Sequence, residues 1–444
     1  MKVLLIWPKA RSKVLGHGDL GAIAEPLALE YLAAACARDG HEPRLLDLRL
    51  HPDELDATLA SFAPDVIGVT GFSMHVPGAL AICRRASQLL PGCTTVVGGH
   101  HATLMPEDFF DPSIDFVIVG EGTGPLRKLL RELSGGPSEP IAGLIRNRGD
   151  RFASDGPPES FLIDALPIPD RKITGPDRAR YFIDWMKPVA LLRTSVGCPY
   201  RCTFCSLWKL MDGRYHMRAI DQVIDEIRAI REDFVFLVDD EAFIHGKRMA
   251  ALAQALEASG CHKRYFTYCR IDSLLRLKDD VLPMWRRIGL ERLFVGIDAI
   301  SERGLVEYNK RVALAQIEDG LEVARRLGIE IFAQFVVSPR YTRRDFQSLI
   351  RFIEHHRISY PSFTVLTPIP GTGLLSSFDD IVEKQPNGRP RWELFDCQHA
   401  VTPTLLPPDE FYSEYRNLYR AFAGNVDLEG RPYTHTRGEP CHGA

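Results

Sequence analysis

Two successive series of short, continuous apolar runs alternating with helix-like stretches constrain this chain more than any other feature. In the first, apolar runs at 3–7, 45–46, 66–70, 96–97 and 116–119 are separated by helical patterns at 26–39, 52–62, 77–90 and 125–133. Unbroken apolar runs suit strands buried on both faces of a parallel sheet. Each helical pattern opens with a proline, which the first turn tolerates because its N–H has no intrahelical partner there. The expected fold is therefore α/β, with a Rossmann-like doubly wound parallel sheet over 1–135 and ligands at the carboxyl ends of its strands. The second series has strand runs at 190–194, 234–238, 265–268, 293–297, 331–337 and 362–366, with helical patterns such as 219–230, 247–258 and 315–327. Six such units at even spacing predict a partial (β/α)6 TIM-type barrel over 189–375. Residues 136–188, rich in Gly, Pro and charge, read as a linker with room for a small hairpin. Residues 376–444 read as a small mixed C-terminal region for substrate binding or capping, with one helix at 408–423 and a mobile end at 434–444.

Composition narrows the class. The 444 residues are 45% hydrophobic and 25% charged, with a formal net charge of −4. That balance argues against a general nucleic-acid binder. No apolar run approaches the roughly 18 residues of a membrane span, and the opening MKVLLIWPKAR is too short in its apolar part for a secretion signal. The ten cysteines are scattered apart from one tight group, which favours reduced thiols and a cytoplasmic protein over a disulfide framework.

The strand ends of the first series are rich in small residues. Thr70, Gly71, Phe72 and Ser73 follow the third run; Gly98, Gly99, His100 and His101 the fourth; Gly120, Glu121 and Gly122 the fifth. Singly each reads as a tight turn, but three on one sheet edge read as a platform on which backbone approaches a bulky ligand. No G-x-G-x-x-G follows the first run, which disfavours a dinucleotide.

The strongest signal is Cys198-Pro199-Tyr200-Arg201-Cys202-Thr203-Phe204-Cys205, directly after the first strand of the second series. Three thiolates at C-x3-C-x2-C spacing fit a [4Fe-4S] cluster whose fourth iron is left open, so Cys198, Cys202 and Cys205 are the candidate metal ligands. The alternatives are a zinc site with a remote fourth ligand, or three unrelated core cysteines. Zinc sites usually use paired C-x2-C units, and no second pair exists among Cys36, Cys83, Cys93, Cys261, Cys269, Cys397 and Cys441.

From about residue 1 to 420 the chain resembles the radical S-adenosylmethionine (SAM) enzymes, in their cobalamin-binding subclass. The cysteine motif with Phe204 before its last cysteine is the family signature. Similar too are Asp239-Asp240 after the second barrel strand, Cys269-Arg270-Ile271-Asp272 after the third, Asp298 ending the fourth with Asn309-Lys310 beyond it, and Pro368 to Thr372 after the sixth. The glycine-bearing loops of the first series resemble that subclass's cobalamin domain. The resemblance implies cobalamin contacts at Thr70, Ser73, Gly98, Gly99, His100, Gly120, Glu121 and Gly122. It implies SAM contacts at Asp239, Asp240 and Asp298 for the amino group or ribose, Arg270 for the carboxylate, and Phe204 near the adenine. The chain lacks the D-x-H-x-x-G motif, carries Asp298 where the family usually has glutamate, and has Asp239-Asp240-Glu241 in place of G-G-E. His75, His100 and His101 read as loop histidines near cobalamin that do not touch cobalt.

The implied cofactors are a [4Fe-4S] cluster, SAM and cobalamin. The implied reaction is methylation of an unactivated carbon of a biosynthetic small molecule, through a 5′-deoxyadenosyl radical and methylcobalamin. A rearrangement or cyclisation without methyl transfer uses the same scaffold, and S-adenosylhomocysteine formation separates the two. A methylthiotransferase is rejected because Cys36 and Cys83 fall in helical patterns. A non-catalytic sensor finds no helix-turn-helix with a basic face. Flavodoxin or ferredoxin is the implied electron donor. The stretch from Trp392 to His399 and the helix after it resemble the C-terminal part of lipid (hopanoid) methylases; Trp392, Phe395, Phe411, Tyr412, Tyr415 and Tyr419 are either pocket or packing aromatics.

Overall fold

The computed structural model describes residues 1–10, 22–160, 162–422 and 424. Numbering strands of three residues or more, the first sheet holds β1 (Lys2–Trp7), β2 (Glu42–Asp47), β3 (Val66–Thr70), β4 (Thr94–Gly98), β5 (Phe116–Ile118), β6 (Leu144–Asn147) and β7 (Phe152–Ser154). They lie in the order β2-β1-β3-β4-β5-β6-β7. The first five are parallel, and β6 and β7 add an antiparallel hairpin. Val3, Leu4, Leu5 and Ile6 are all fully buried, as an unbroken apolar strand covered on both faces must be. The second sheet holds β8 (Val189–Leu192), β9 (Phe234–Leu237), β10 (Arg264–Tyr268), β11 (Leu290–Asp298), β12 (Glu330–Val337) and β13 (Tyr360–Val365), all parallel and in chain order. The fold is α/β with two sheets dominated by parallel strands.

The chain divides into two compact units. One comprises the described residues of Met1–Arg11, Glu25–Arg180 and Trp392–Asp396; the other those of Ser12–Ala24, Tyr181–Arg391 and Cys397–Ala444. Among the described residues no helix is long and apolar enough to cross a membrane. The mobile end expected at 434–444, and Cys441, lie outside the described residues.

Several expectations are corrected. Much of the stretch read as a linker packs into the first unit. Arg146 on β6, buried, donates to Asp155 (2.7 Å) and to both oxygens of Glu132 (2.8 Å each), so the hairpin is fastened to the helix Thr123–Leu133. A short helix, His100–Leu104, was hidden because its sequence HHATL carries too little periodicity to register. Pro52 lies outside its helix, which begins at Leu55. Cys36 and Cys83 do sit in helices, buried, and burial pushes both thiols up to about 12.

The edge strand β13 exposes carbonyls that need partners. The helix Pro408–Ala421 supplies them: the Tyr415 and Tyr419 hydroxyls donate to the Phe363 carbonyl at 2.9 and 2.7 Å. Phe411, Tyr415 and Tyr419 are thus a packing stripe. Replacing either tyrosine with phenylalanine should cost about 1 kcal/mol, because the other hydroxyl remains. The double variant should cost more than the sum of the two, since it orphans a buried carbonyl. Denaturant titration of the three variants checks this; strict additivity would contradict it.

Candidate functional site

In the second unit the chain leaves β8 and meets a buried carboxylate. Asp239, just past β9, accepts from the Thr194 N–H (2.6 Å) and Ser195 N–H (2.9 Å) through Oδ1, and from the Thr194 hydroxyl (2.5 Å) through Oδ2. Both oxygens are engaged and the residue is fully buried. Asp239 therefore scaffolds the loop entrance. Asp240 Oδ2 accepts from the Gly197 N–H at 2.7 Å. Gly197 has φ +93°, and a Cβ there would stand 2.0 Å from the Arg214 carbonyl oxygen, so only glycine admits this approach.

The cysteine loop follows. Its far side is tied down by the Thr203 N–H donating to the Tyr308 carbonyl (3.2 Å) and the Asn309 amide donating to the Arg201 carbonyl (2.8 Å). Phe204 meets Tyr308 edge-on at 5.3 Å and packs on the core. Burial pushes the Cys198 thiol up to about 12, with Glu241, Cys205 and Asp240 adding to the effect. Cys205 rises to about 11, again by burial first and then by Cys202, Asp240 and Asp298. Thiols raised by burial and neighbouring carboxylates favour a cation among them, and iron held by Cys198, Cys202 and Cys205 would stabilise their thiolate forms. Among the described residues no three His, Cys, Asp or Glu converge as ligands of a single ion would. Three cysteine sulfurs on one loop are the donor chemistry of a [4Fe-4S] cluster, which is held by thiolates on separate irons.

Glu241 is the residue that the sequence reading left out of the site. It is 2% exposed. Its Oε2 accepts from the Arg270 N–H at 2.8 Å, while Oε1 is buried with no hydrogen-bond partner. Burial raises its carboxyl to about 7, against a Ser273 hydroxyl hydrogen bond and the Arg270 charge, which lower it. Its signal was present as the third acid of Asp239-Asp240-Glu241. Asp298, with φ +64° at the end of β11, is ion-paired with Lys310. The Arg270 guanidinium, expected on the SAM carboxylate, donates to Asp272 (2.9 Å) and the Lys310 carbonyl (2.7 Å).

In the first unit the carboxyl ends of β1, β3 and β4 carry Trp7, Phe72 and His100. Phe72, 46% exposed, lies 6.2 Å from the Trp7 ring, 6.0 Å from His75 and 5.5 Å from His100. Gly99 has φ +97°, and a Cβ there would fall 2.4 Å from Thr70 Oγ1, so the two loops touch backbone to side chain. Gly98 lies beside Ile118 across that edge. Bare backbone beside an exposed aromatic ring suits the face of a large planar macrocycle.

Other expected contacts have different employment. Glu121 caps its own helix, accepting from the Thr123 and Gly124 N–H groups at 2.7 and 3.3 Å. The Gly120 N–H donates to Thr103 (3.0 Å), and Gly122 abuts Leu32. Ser73 bonds His101 Nδ1 at 2.9 Å, whose Nε2 meets Asp108 at 3.0 Å, so both His101 nitrogens are engaged. Trp392, expected as a pocket or packing aromatic, packs on His101 at 4.7 Å and is 1% exposed.

Two families match segments of the chain: the B12 binding domain over residues 16–130 and the Radical SAM superfamily over 192–353. The hopanoid C-3 methylase of Methylococcus capsulatus (strain ATCC 33009 / NCIMB 11132 / Bath) is 34% identical over 88% of this chain and 75% of its own length. The chain belongs to the cobalamin-dependent radical SAM methyltransferases. The anaerobic magnesium-protoporphyrin IX monomethyl ester cyclase of Rubrivivax gelatinosus is 25% identical over 98% of this chain and 79% of its own. The radical SAM methyltransferase TsrM from Kitasatospora setae shares the fold, with TM-score 0.69 at 17% identity over 100% of this chain and 92% of that one. The enzyme's cofactors are a [4Fe-4S] cluster, SAM and cobalamin.

His75 shows how the cobalamin unit treats a histidine. Its Nδ1 accepts from the Phe72 N–H at 3.0 Å, which puts the ring proton on Nε2. Neither nitrogen then offers a lone pair to cobalt. Burial, helped by Arg49, lowers its pKa from 6.5 to about 4. Since the folded value lies below the unfolded one, the unfolded chain binds the extra proton between those values, and this residue's effect is to weaken the fold as pH falls through that window. In the cofactor-free enzyme the His75 ring C–H resonance should stay at its neutral position down to about pH 5. A midpoint near 6.5 would contradict the burial.

Proposed function

We propose that this methyltransferase acts on an unactivated carbon of a polycyclic or polyisoprenoid lipid, with Cys198, Cys202 and Cys205 holding its cluster. The observation that carries the reading of the site is the buried Glu241 carboxylate beside the cysteine loop, whose Oε1 has no hydrogen-bond partner among the described residues. Support for the lipid class comes from the 34% identity to a hopanoid methylase. On this reading the first sheet is a Rossmann-like cobalamin domain and the second a partial TIM-type barrel.

When bound, the cluster with SAM supplies a 5′-deoxyadenosyl radical and cobalamin supplies the methyl group. The chain's own residues position and enclose. Glu241 Oε1 accepts from the ammonium of SAM, which repays its burial with a charge-assisted bond. Asp240 and the Asp298–Lys310 pair border the same strand ends. Thr70, Gly98, Gly99, Phe72 and His100 receive the corrin face, while Ser73 is oriented through His101. A one-electron donor of the flavodoxin or ferredoxin type serves the cluster, in the cytoplasm.

Replacing Cys198, Cys202 and Cys205 together with alanine should abolish iron binding and 5′-deoxyadenosine release. Glu241→Gln should keep full iron yet bind SAM about 10- to 100-fold more weakly, the loss of one charge-assisted contact. Anaerobic calorimetry with SAM checks this; unchanged affinity would remove Glu241 from the site. With the lipid substrate present, S-adenosylhomocysteine should form alongside methylated product. Turnover without it would favour a cyclisation or rearrangement.

A further inference from the structure

Arg270 follows β10 by two residues and is 8% exposed. Its guanidinium is gripped from three sides. Nε donates to Asp272 Oδ1 at 2.9 Å, Nη2 donates to the Lys310 carbonyl at 2.7 Å, and the Tyr200 ring lies beneath it with its centroid 3.7 Å from the guanidinium carbon. The remaining corner, Nη1, points at the Cys202 sulfur, 3.8 Å away. With Nε and Nη2 engaged, the two-pronged fork that would clasp a carboxylate is not available.

We infer that Arg270 sets the reduction potential of the cluster through its N–H···S contact with Cys202. The inference rests on the assignment of Cys198, Cys202 and Cys205 as cluster ligands. The argument is electrostatic. The oxidised cluster takes up one electron, so reduction makes the loop more negative. A fixed positive charge against one ligand sulfur stabilises the reduced form more than the oxidised one, and hydrogen bonds to the sulfurs tune such potentials in the same sense. The surroundings otherwise oppose reduction, because Asp240, Glu241 and Asp298 all act on the cysteine thiols. Among the described residues Arg270 is the cation seen to touch a cysteine of the motif, and its restraints keep that contact in place.

The test is a redox titration of the reconstituted full-length enzyme without SAM, using titanium(III) citrate as reductant and the EPR signal of the reduced cluster as readout. Arg270→Gln should retain the iron content and shift the midpoint to a more negative potential. Arg270→Lys, which keeps the charge but loses the fork, should fall between the two. An Arg270→Gln protein with full iron and the wild-type midpoint overturns the inference and leaves the ligand assignment standing. Iron retained in the Cys198, Cys202 and Cys205 triple alanine variant would overturn the assignment instead. Should Arg270→Gln fail to hold iron, the wild-type enzyme grown on guanidino-15N-arginine decides. A 15N coupling to the reduced cluster in pulsed EPR supports the contact, and its absence overturns it.

Discussion

The second unit's chemistry hangs on a buried carboxylate that pins the entrance to the cysteine loop. Asp239 joins the end of β9 to the chain leaving β8 through three hydrogen bonds, two from consecutive backbone N–H groups. Hydrogen bonds to a charged group contribute about 1.5–3 kcal/mol each, and leaving those donors buried and unpaired would cost a comparable amount. With the entrance pinned, Gly197 can turn into its left-handed conformation against Arg214 and deliver the cysteine loop at the strand ends. The far side of the loop is held by residues 307–309, so its three thiols are positioned from both flanks.

Charge explains why such a site awaits a cation. Burial first, and the nearby carboxylates after it, raise the Cys198 and Cys205 thiols. A cluster would supply the missing positive charge, and on the proposed reading the ammonium of SAM would meet Glu241 Oε1, a buried carboxylate oxygen with no hydrogen-bond partner among the described residues. The first unit solves a different problem, the presentation of bare backbone and an exposed aromatic ring to a flat ligand. It does so with small residues at adjoining strand ends.

Much of this was legible in the sequence because the relevant patterns are local. Apolar runs marked the parallel strands of both sheets to within a few residues, and the C-x3-C-x2-C spacing needed no tertiary information. What escaped depends on which way a side chain points after its strand ends. Among Asp239, Asp240 and Glu241, pattern could not tell that the first is consumed as a scaffold and the third is left with an unpartnered oxygen. Nor could pattern tell that the Glu121 carboxylate caps the helix two residues on. Residues 136–160 carry Gly and Pro like a connector, yet the Arg146 ion pairs fasten them to the first sheet.

The most direct test of the whole account is the metal and cofactor content of the enzyme, purified anaerobically with iron and cobalamin supplied. About four irons with matching sulfide, together with near-stoichiometric cobalt in one chain, is the predicted result. A chain that takes up the iron–sulfur cluster but no cobalamin would contradict the assignment of the first sheet, and with it the methyl-transfer reading.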